Sequence, residues 1–360
     1  MALIPSLHII GSRRGGGAER FFTRLVAALN RAGHPATAVC RPGSWVAENL
    51  AEEIPRILLP MPGAWDPVAR WRLGRLIRRS GAAVVQTYMG RATRLVRLPT
   101  GRKPVHVARL GGFYDLRQYR HAHAWVGNTG ELERHLREGG LAPARIFRIG
   151  NFAEPATPDP EAAARLRGQL GLPAECRVAL CVARLHPNKG IDTLLEAWAR
   201  LPEAPGGAPA RLVIVGDGPL REALHGQARA LGLERRVVWA GWQNDPAPWY
   251  ELADLFVCPS RHEPLGNVVL EAWAHRRAVV ATRSDGPLEL IEPERDGVLV
   301  PVDDAAALAA ALERSLAQSG EARAALGAAG YRKLLAGHSP EAVVEAYLAL
   351  YRSLLAEARA

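Results

Sequence analysis

The chain has 360 residues, 48% of them hydrophobic and 23% charged, enough for two domains with separate cores and too apolar for a disordered chain. The N-terminal apolar stretch is too short for a signal peptide and no run reaches membrane-spanning length. Cys40, Cys176, Cys181 and Cys258 form no CxxC pair and no zinc-like cluster, so a cytoplasmic protein with incidental reduced thiols is expected. The net charge of +10 is unevenly spread: residues 1–152 hold 24 Lys and Arg against 9 Asp and Glu, the remainder 22 against 27. That asymmetry leaves two readings open for the first half, an anionic partner or an arginine-rich composition without one.

In chain order, the apolar run "LHII" precedes a glycine-rich turn and a helix in which Phe21, Leu25, Ala28 and Leu29 recur at helical spacing up to Gly33. "ATAVC" reads as a strand, "DPVARWRLGRLIRRSGA" as a basic helix, and "AVVQTY", "KPVHVARL", "AWVGNT" and "RIFRIGN" as further strands. In the basic helix, Val68 and Leu76 are expected to pack inward while the arginines cover the outer face. Three prolines in "AEPATPDP" (153–160) mark a linker. Strand and helix then alternate again from "RVALCVARL" to "GVLVP". "VDD" (302–304) opens a surface helix, and a long helix with Ser339 as N-cap and Pro340 at its first position closes the chain. The alternation predicts an α/β protein of two doubly wound, Rossmann-like domains facing a central cleft, divided as 1–152, 153–338 and a terminal helix 339–360.

Chemistry concentrates at a few turns. "GSRRGGGAE" follows a strand and opens a helix, but no Lys-Ser/Thr follows the glycines, and Arg20 occupies the close-packing position of a dinucleotide fingerprint. It reads either as a weak anion cradle or as a purely structural tight turn. "CVARLHPNKGID" places Arg184 at the end of an apolar strand and Lys189 five residues on, two cations able to reach one diphosphate. "HEPLGNVVLE" sets Glu263 before a helix expected to start near Leu265, where the N–H groups of Leu265, Gly266, Asn267 and Val268 favour a phosphate. Glu271 falls about two turns into that helix, among apolar residues, and needs a polar partner such as paired ribose hydroxyls.

Glu263 and Glu271 spaced Glu-x7-Glu, Arg184 with Lys189, "VGDGP" (215–219), "GGAE" (16–19) and "SPEAVVEAYLALY" together resemble the retaining family 4 glycosyltransferases of GT-B fold. The resemblance spans essentially the whole chain and is most specific over 178–302. It implies that Arg184 and Lys189 neutralise a donor diphosphate, with Leu265, Gly266, Asn267 and Val268 holding it from the helix end. It further implies that Glu271 binds ribose, Glu263 contacts the donor sugar, Gly16 and Gly17 close on the phosphates, and "AGWQND" (240–245) lies near the base.

The implied reaction is a retaining, hexosyl-type transfer from a UDP- or GDP-sugar to a glycan or glycolipid, without cofactor or metal, in which the leaving phosphate takes the acceptor proton. Leu110 stands where many relatives carry a histidine, so Arg109, Tyr114 and Asp115 become the acceptor-side candidates. "RLGGFYD" and "QTYMGRA" are similar to bacterial lipopolysaccharide-core enzymes. The arginine face of the basic helix reads either as solvated or as a docking site for an anionic membrane surface, which a glycolipid acceptor of the kind the resemblance implies would make useful. The expected location is cytoplasmic, peripheral on the inner face of the cytoplasmic membrane. Three rivals stand beside the transferase: a nucleotide-sugar epimerase of the same fold, a nucleotide-binding oxidoreductase resting on the glycine turn and weakened by Arg20, and a basic nucleic-acid binder. The last leaves both acids unexplained, and no nucleic acid is expected as partner.

Overall fold

The computed structural model describes residues 3–358, which form two compact units. Unit 1 takes the chain up to Asn151 together with the stretch from Pro340, and unit 2 runs from Phe152 to Ser339. Unit 1 is built on β1 (Ser6–Ile10), β2 (Ala36–Cys40), β3 (Arg56–Leu58), β4 (Val84–Tyr88), β5 (Val105–Arg109), β6 (Ala124–Gly127) and β7 (Ile146–Arg148). These strands pair in parallel in the order β3-β2-β1-β4-β5-β6-β7. β1, β4 and β5 are buried along their whole length, as expected of a parallel sheet covered on both faces.

Polar residues inside such a sheet must find partners. His8 bonds to the Ser6 hydroxyl (3.1 Å) and the Tyr88 hydroxyl (2.9 Å), and Gln86 donates to Tyr88 at 2.7 Å. The closing helix (Pro340–Glu357) completes this network, with Tyr351 donating to Gln86 at 2.6 Å. Burial holds His8 neutral, its pKa lowered to about 3.

Unit 2 carries β8 (Arg177–Val182), β9 (Ala210–Val215), β10 (Val237–Gly241), β11 (Leu255–Cys258), β12 (Ala278–Thr282) and β13 (Val298–Val300), parallel in the order β10-β9-β8-β11-β12-β13. Helices Ile191–Arg200 and Ala305–Ala317 bury one face, and helices Ala247–Leu252 and Asn267–Ala274 the other. In both sheets the winding direction reverses once, between β1 and β4 and between β8 and β11. Ligands of doubly wound sheets bind at the strand C-termini beside that reversal. All four cysteines are free and buried.

Several sequence expectations need correction. The helix after "VDD" is not a surface helix, because Leu308, Leu312 and Leu316 are fully buried while Asp304 caps its first turn. The helix holding Glu271 begins at Asn267 rather than near Leu265, because Gly266 takes a left-handed conformation (φ +63°) that ends the approach loop. In the basic helix Pro67–Arg79 the inward stripe is Ala69, Leu73 and Ile77; Val68 is exposed and Leu76 only partly buried. Helices Met89–Leu95, Pro160–Gln169 and Gly320–Gly337 carried no clear sequence signal. The last of these packs through Gly327 and Gly330 as well as the buried Leu334, so its inward face is only partly apolar. A Cβ at Gly330 would collide with the Trp273 indole, and one at Gly327 with the Arg276 carbonyl.

Candidate functional site

The winding reversal of unit 2 gathers the charged residues singled out from sequence. Arg184 lies just past β8, exposed and with no ion-pair partner among the described residues. Lys189 ends a 3-10 turn (Pro187–Lys189), and Gly190 turns the chain into the helix starting at Ile191. Only glycine fits that corner: φ is +59°, and a Cβ would strike the Pro259 carbonyl beyond β11. Gly216 plays the same part on the neighbouring strand, where a Cβ would strike the Ala183 carbonyl. Ala183 and Leu185 donate backbone hydrogen bonds to Val215 and Asp217, both at 3.0 Å. The "VGDGP" turn therefore clamps the segment that carries Arg184.

The loop after β11 is anchored as firmly. Arg261 forms a two-pronged pair with Asp192 (2.8 and 2.7 Å) and bonds to Asp303 at 2.6 Å. The Asp192 carboxyl is held below its ordinary range chiefly by its hydrogen bond from Arg261. Thr282 donates to the Ser260 carbonyl, and Gly286 donates to the Glu263 carbonyl at 2.7 Å. Gly266 packs so closely against helix Asp285–Leu290 that a Cβ would lie 2.6 Å from the Leu290 side chain. Its role is thus close backbone packing and a helix N-terminus whose first N–H groups have no intrahelical acceptor. Leu265, Asn267 and Val268 around it are partly buried.

Both acids have protein partners. Glu263 is buried and accepts from the Lys189 ammonium at 2.5 Å. A carboxylate so placed is stable only while paired. Glu271 is partly buried and accepts from the Tyr250 hydroxyl at 3.0 Å. Burial, then the Glu271 charge, raises the Tyr250 pKa well above its ordinary value, so the phenol remains a donor. Tyr250 is held flat against His275, ring centroids 5.1 Å apart, and His275 bonds to Glu251 at 2.6 Å. Past β10, Trp242 stands exposed, its indole N–H donating to Asn244 at 3.1 Å. Among the described residues no three His, Cys, Asp or Glu converge to hold a metal ion.

In unit 1 the turn after β1 leads to helix Gly17–Arg31, with Gly16 as N-cap in extended conformation. A Cβ at Gly15 would meet the Trp45 indole at 2.7 Å, whereas Gly17 faces open space. Glu19, which the sequence reading did not single out, is buried to 4% exposure. Its carboxylate lies 2.9 Å from where a Cβ on Gly16 would be, and it has no hydrogen-bond partner among the described residues. Its charge also contributes to raising the Tyr114 pKa, after burial. The signal that could have exposed Glu19 is its place three residues after an N-cap, where an acid normally bonds back to the cap.

The acceptor-side candidates fall into different surroundings. Arg109 is buried, its guanidinium 3.6 Å from the centroid of Phe21 and donating to Tyr347 (3.1 Å) and Asn151 (2.8 Å). Tyr114 is partly buried and stacked on Tyr119, while Asp115 is exposed, caps the turn Leu116–Gln118 and pairs with Arg117 at 2.8 Å. Leu110 is a fully buried core residue.

Residues 15–157 match "Glycosyltransferase Family 4" and residues 176–318 match "Glycosyl transferases group 1". The lipopolysaccharide core biosynthesis glycosyltransferase LpsE of Rhizobium meliloti is 36% identical over 94% of this chain and 97% of its own length. Among solved structures, a glycosyltransferase from Rickettsia africae superposes with a TM-score of 0.84 at 18% identity, covering 99% of both chains. The Anabaena protein HepE in complex with UDP superposes with a TM-score of 0.81 at 20% identity, over 97% of this chain and 100% of that one. At such identities the structures establish the fold.

Proposed function

The chain is a family 4 (group 1) glycosyltransferase of GT-B fold, and we propose that it moves a sugar from a nucleotide-diphosphate sugar to a lipopolysaccharide-core acceptor with retention of configuration. The observation that carries this reading is the convergence at the unit 2 winding reversal of Arg184, the Lys189–Glu263 pair and the helix N-terminus at Asn267. Glu271 sits one helix turn inward, hydrogen-bonded to Tyr250. Similarity to LpsE supports the core acceptor, and HepE, which binds UDP, supports a UDP-sugar as the donor to try first.

In this mechanism the acceptor oxygen attacks the anomeric carbon as the bond from that carbon to the diphosphate oxygen breaks. The departing phosphate takes the acceptor proton on the same face. Arg184, Lys189 and the first-turn N–H groups of the Asn267 helix meet the charge that develops on the diphosphate, a preorganised electrostatic role. Glu271 accepts from the ribose hydroxyls. Glu263, oriented by Lys189, accepts from hydroxyls of the transferred sugar. The Gly16–Gly17 turn of unit 1 offers backbone N–H groups to a phosphate, and Tyr114 and Glu19 are acceptor-side groups.

The test is incubation with a panel of labelled UDP-, GDP- and ADP-sugars in excess EDTA. Transfer or slow donor hydrolysis, with the product anomer read by NMR, is the expected result. Epimer formation without release of nucleoside diphosphate would favour the epimerase, and activity restored only by a divalent metal would overturn the metal-free mechanism.

A further inference from the structure

The C-terminal ends of β1, β2 and β4 meet at the winding reversal of unit 1, where a doubly wound sheet takes its ligand. Each end delivers an arginine. Arg13 follows β1, Arg41 follows β2 directly, and Arg91 lies in helix Met89–Leu95, into which β4 leads. Arg41 and Arg91 donate to one carbonyl, that of Gly11, at 3.5 and 3.2 Å, and Arg91 also donates to the Met61 carbonyl at 3.2 Å. Gly11 makes room for Arg91, since a Cβ there would lie 2.9 Å from the Arg91 Cδ. The turn that brings Arg91 over β1 is strained: Met89 is left-handed (φ +63°), a conformation costly for a residue with a side chain and one that collects at ligand sites.

These cations lack a counter-charge. No carboxylate among the described residues forms an ion pair with Arg13, Arg41 or Arg91. Arg41 is only 9% exposed, and the one hydrogen bond its guanidinium makes among the described residues is the long contact to Gly11. A buried cation held so loosely is costly to the fold. Burial, then the charges of Arg91 and Arg13, lowers the Arg41 pKa, so the three cations feel one another. Between Gly11 and Arg13 the Ser12 hydroxyl is buried and has no hydrogen-bond partner among the described residues, which a buried hydroxyl normally finds. The backbone around the group is fixed: Trp45 donates its N–H to the Arg13 carbonyl at 2.9 Å, and the Ser44 hydroxyl donates to the Arg41 carbonyl at 2.7 Å.

We propose that Arg13, Arg41, Arg91 and the Ser12 hydroxyl seat an anionic group of the acceptor saccharide, a carboxylate or a phosphate, so that the enzyme selects an acidic acceptor. Guanidinium groups bind either anion through paired hydrogen bonds, and the hydroxyl adds a further donor. The donor diphosphate already has Arg184, Lys189 and the helix N-terminus at Asn267 in unit 2, which leaves the unit 1 cations to the acceptor. The inference rests on the transferase reading only in taking unit 1 as the acceptor side. Anion binding itself needs neither donor nor transfer.

The experiment titrates the full chain, without donor, with methyl glucuronoside, its methyl ester, methyl glucoside 6-phosphate and methyl glucoside. At least one anionic probe should bind about 10-fold or more tightly than its neutral counterpart, as charge-assisted hydrogen bonds require, and the preferred one tells a carboxylate acceptor from a phosphorylated one. Arg41→Met should weaken that binding about 10- to 100-fold while the melting temperature holds or rises, because an unneutralised buried charge is removed. A fall in melting temperature with anion binding retained marks a structural arginine and would overturn its role. Arg13→Ser, at an exposed position, should also weaken anion binding, and it tests the seat even if Arg41→Met fails to fold. UDP affinity should stay close to wild type in both variants. Equal affinity for charged and neutral probes, or no saturable binding of either anion, would overturn the seat. A matching loss of UDP affinity would assign these arginines to the donor and overturn it as well. Sugar transfer itself is read separately on the labelled donor panel, so a failed anion seat leaves the transferase reading standing.

Discussion

The two units share one topology and differ in how their polar groups are held. At the winding reversal of unit 2 nearly every charged side chain is paired: Lys189 with Glu263, Arg261 with Asp192 and Asp303, and Glu271 with Tyr250. Glycines fix the surrounding loops by close backbone contact at Gly190, Gly216 and Gly266. Among the described residues, unit 1 instead holds a buried carboxylate without a hydrogen-bond partner at Glu19, uncharged histidines inside its sheet, and arginines outside any ion pair at Arg70, Arg78 and Arg97. A site assembled in advance suits a ligand of fixed chemistry, such as a nucleoside diphosphate. Unsatisfied groups suit ligands that complete them on arrival.

The largest effect that would sharpen this contrast is structural. Gly190→Ala forces a side chain into a left-handed corner and onto a carbonyl, and should cost about 3 kcal/mol or more in urea denaturation. Gly17→Ala, whose added carbon meets nothing, should leave stability within about 0.5 kcal/mol. Comparable losses in the two would remove the distinction between a locked and an open turn.

Next in size is catalysis. Arg184→Ala should lower turnover about 100-fold, as expected on removing one preorganised stabiliser of developing charge, with little change in melting temperature because the side chain is exposed and has no ion-pair partner among the described residues. Lys189→Ala should lower turnover similarly and also destabilise the fold, since it strands the buried Glu263. On the unit 1 side, Glu19→Gln should raise the acceptor KM while leaving donor hydrolysis and nucleotide affinity intact. A loss of nucleotide affinity instead would move Glu19 to the donor.

The smallest effect is graded with pH. His8 and His106 are neutral in the folded chain, their pKa values depressed chiefly by burial, that of His8 to about 3. A depressed histidine pKa means the unfolded chain binds the proton first. The stability these groups contribute is therefore full above about pH 6.5 and lost as pH falls from there toward the folded value. Each should give a slope of about 1.4 kcal/mol per pH unit between pH 6 and 5. Urea midpoints that stay flat over that range would contradict the assignment.

The same contrast explains what the sequence disclosed. Strand runs such as "VVQTY" and "RVALCV", and the turns that follow them, carry apolar continuity and glycine punctuation, so the two doubly wound sheets were legible. Arg184, Lys189, Glu263 and Glu271 were legible as polar intrusions at strand and helix ends. That Lys189 pairs with Glu263, 74 positions away, was not, because the contact is made only when β8 and β11 lie side by side. Local periodicity also misled by one residue in the basic helix, where small Ala69 takes the inward place expected of Val68. Helix Gly320–Gly337 was silent because two glycines and Arg323 share its buried face with the lone buried leucine, Leu334. Glu19 lies against Gly16 and is felt by Tyr114, beyond β5, a neighbourhood that no single stretch of chain records.

The measurement that bears most directly on the division of roles is calorimetric titration of UDP and GDP into the wild-type chain and into Glu271→Ala and Glu263→Ala. Loss of hydrogen bonds from ribose hydroxyls to a carboxylate should weaken binding of the preferred nucleotide to Glu271→Ala by about 10- to 100-fold. Glu263→Ala, at the acid proposed to contact the transferred sugar, should bind the bare nucleotide within about 3-fold of wild type, by the same reckoning applied to a group assigned no contact with it, while losing turnover. Equal losses of nucleotide affinity in the two variants, or none in Glu271→Ala, would contradict the account.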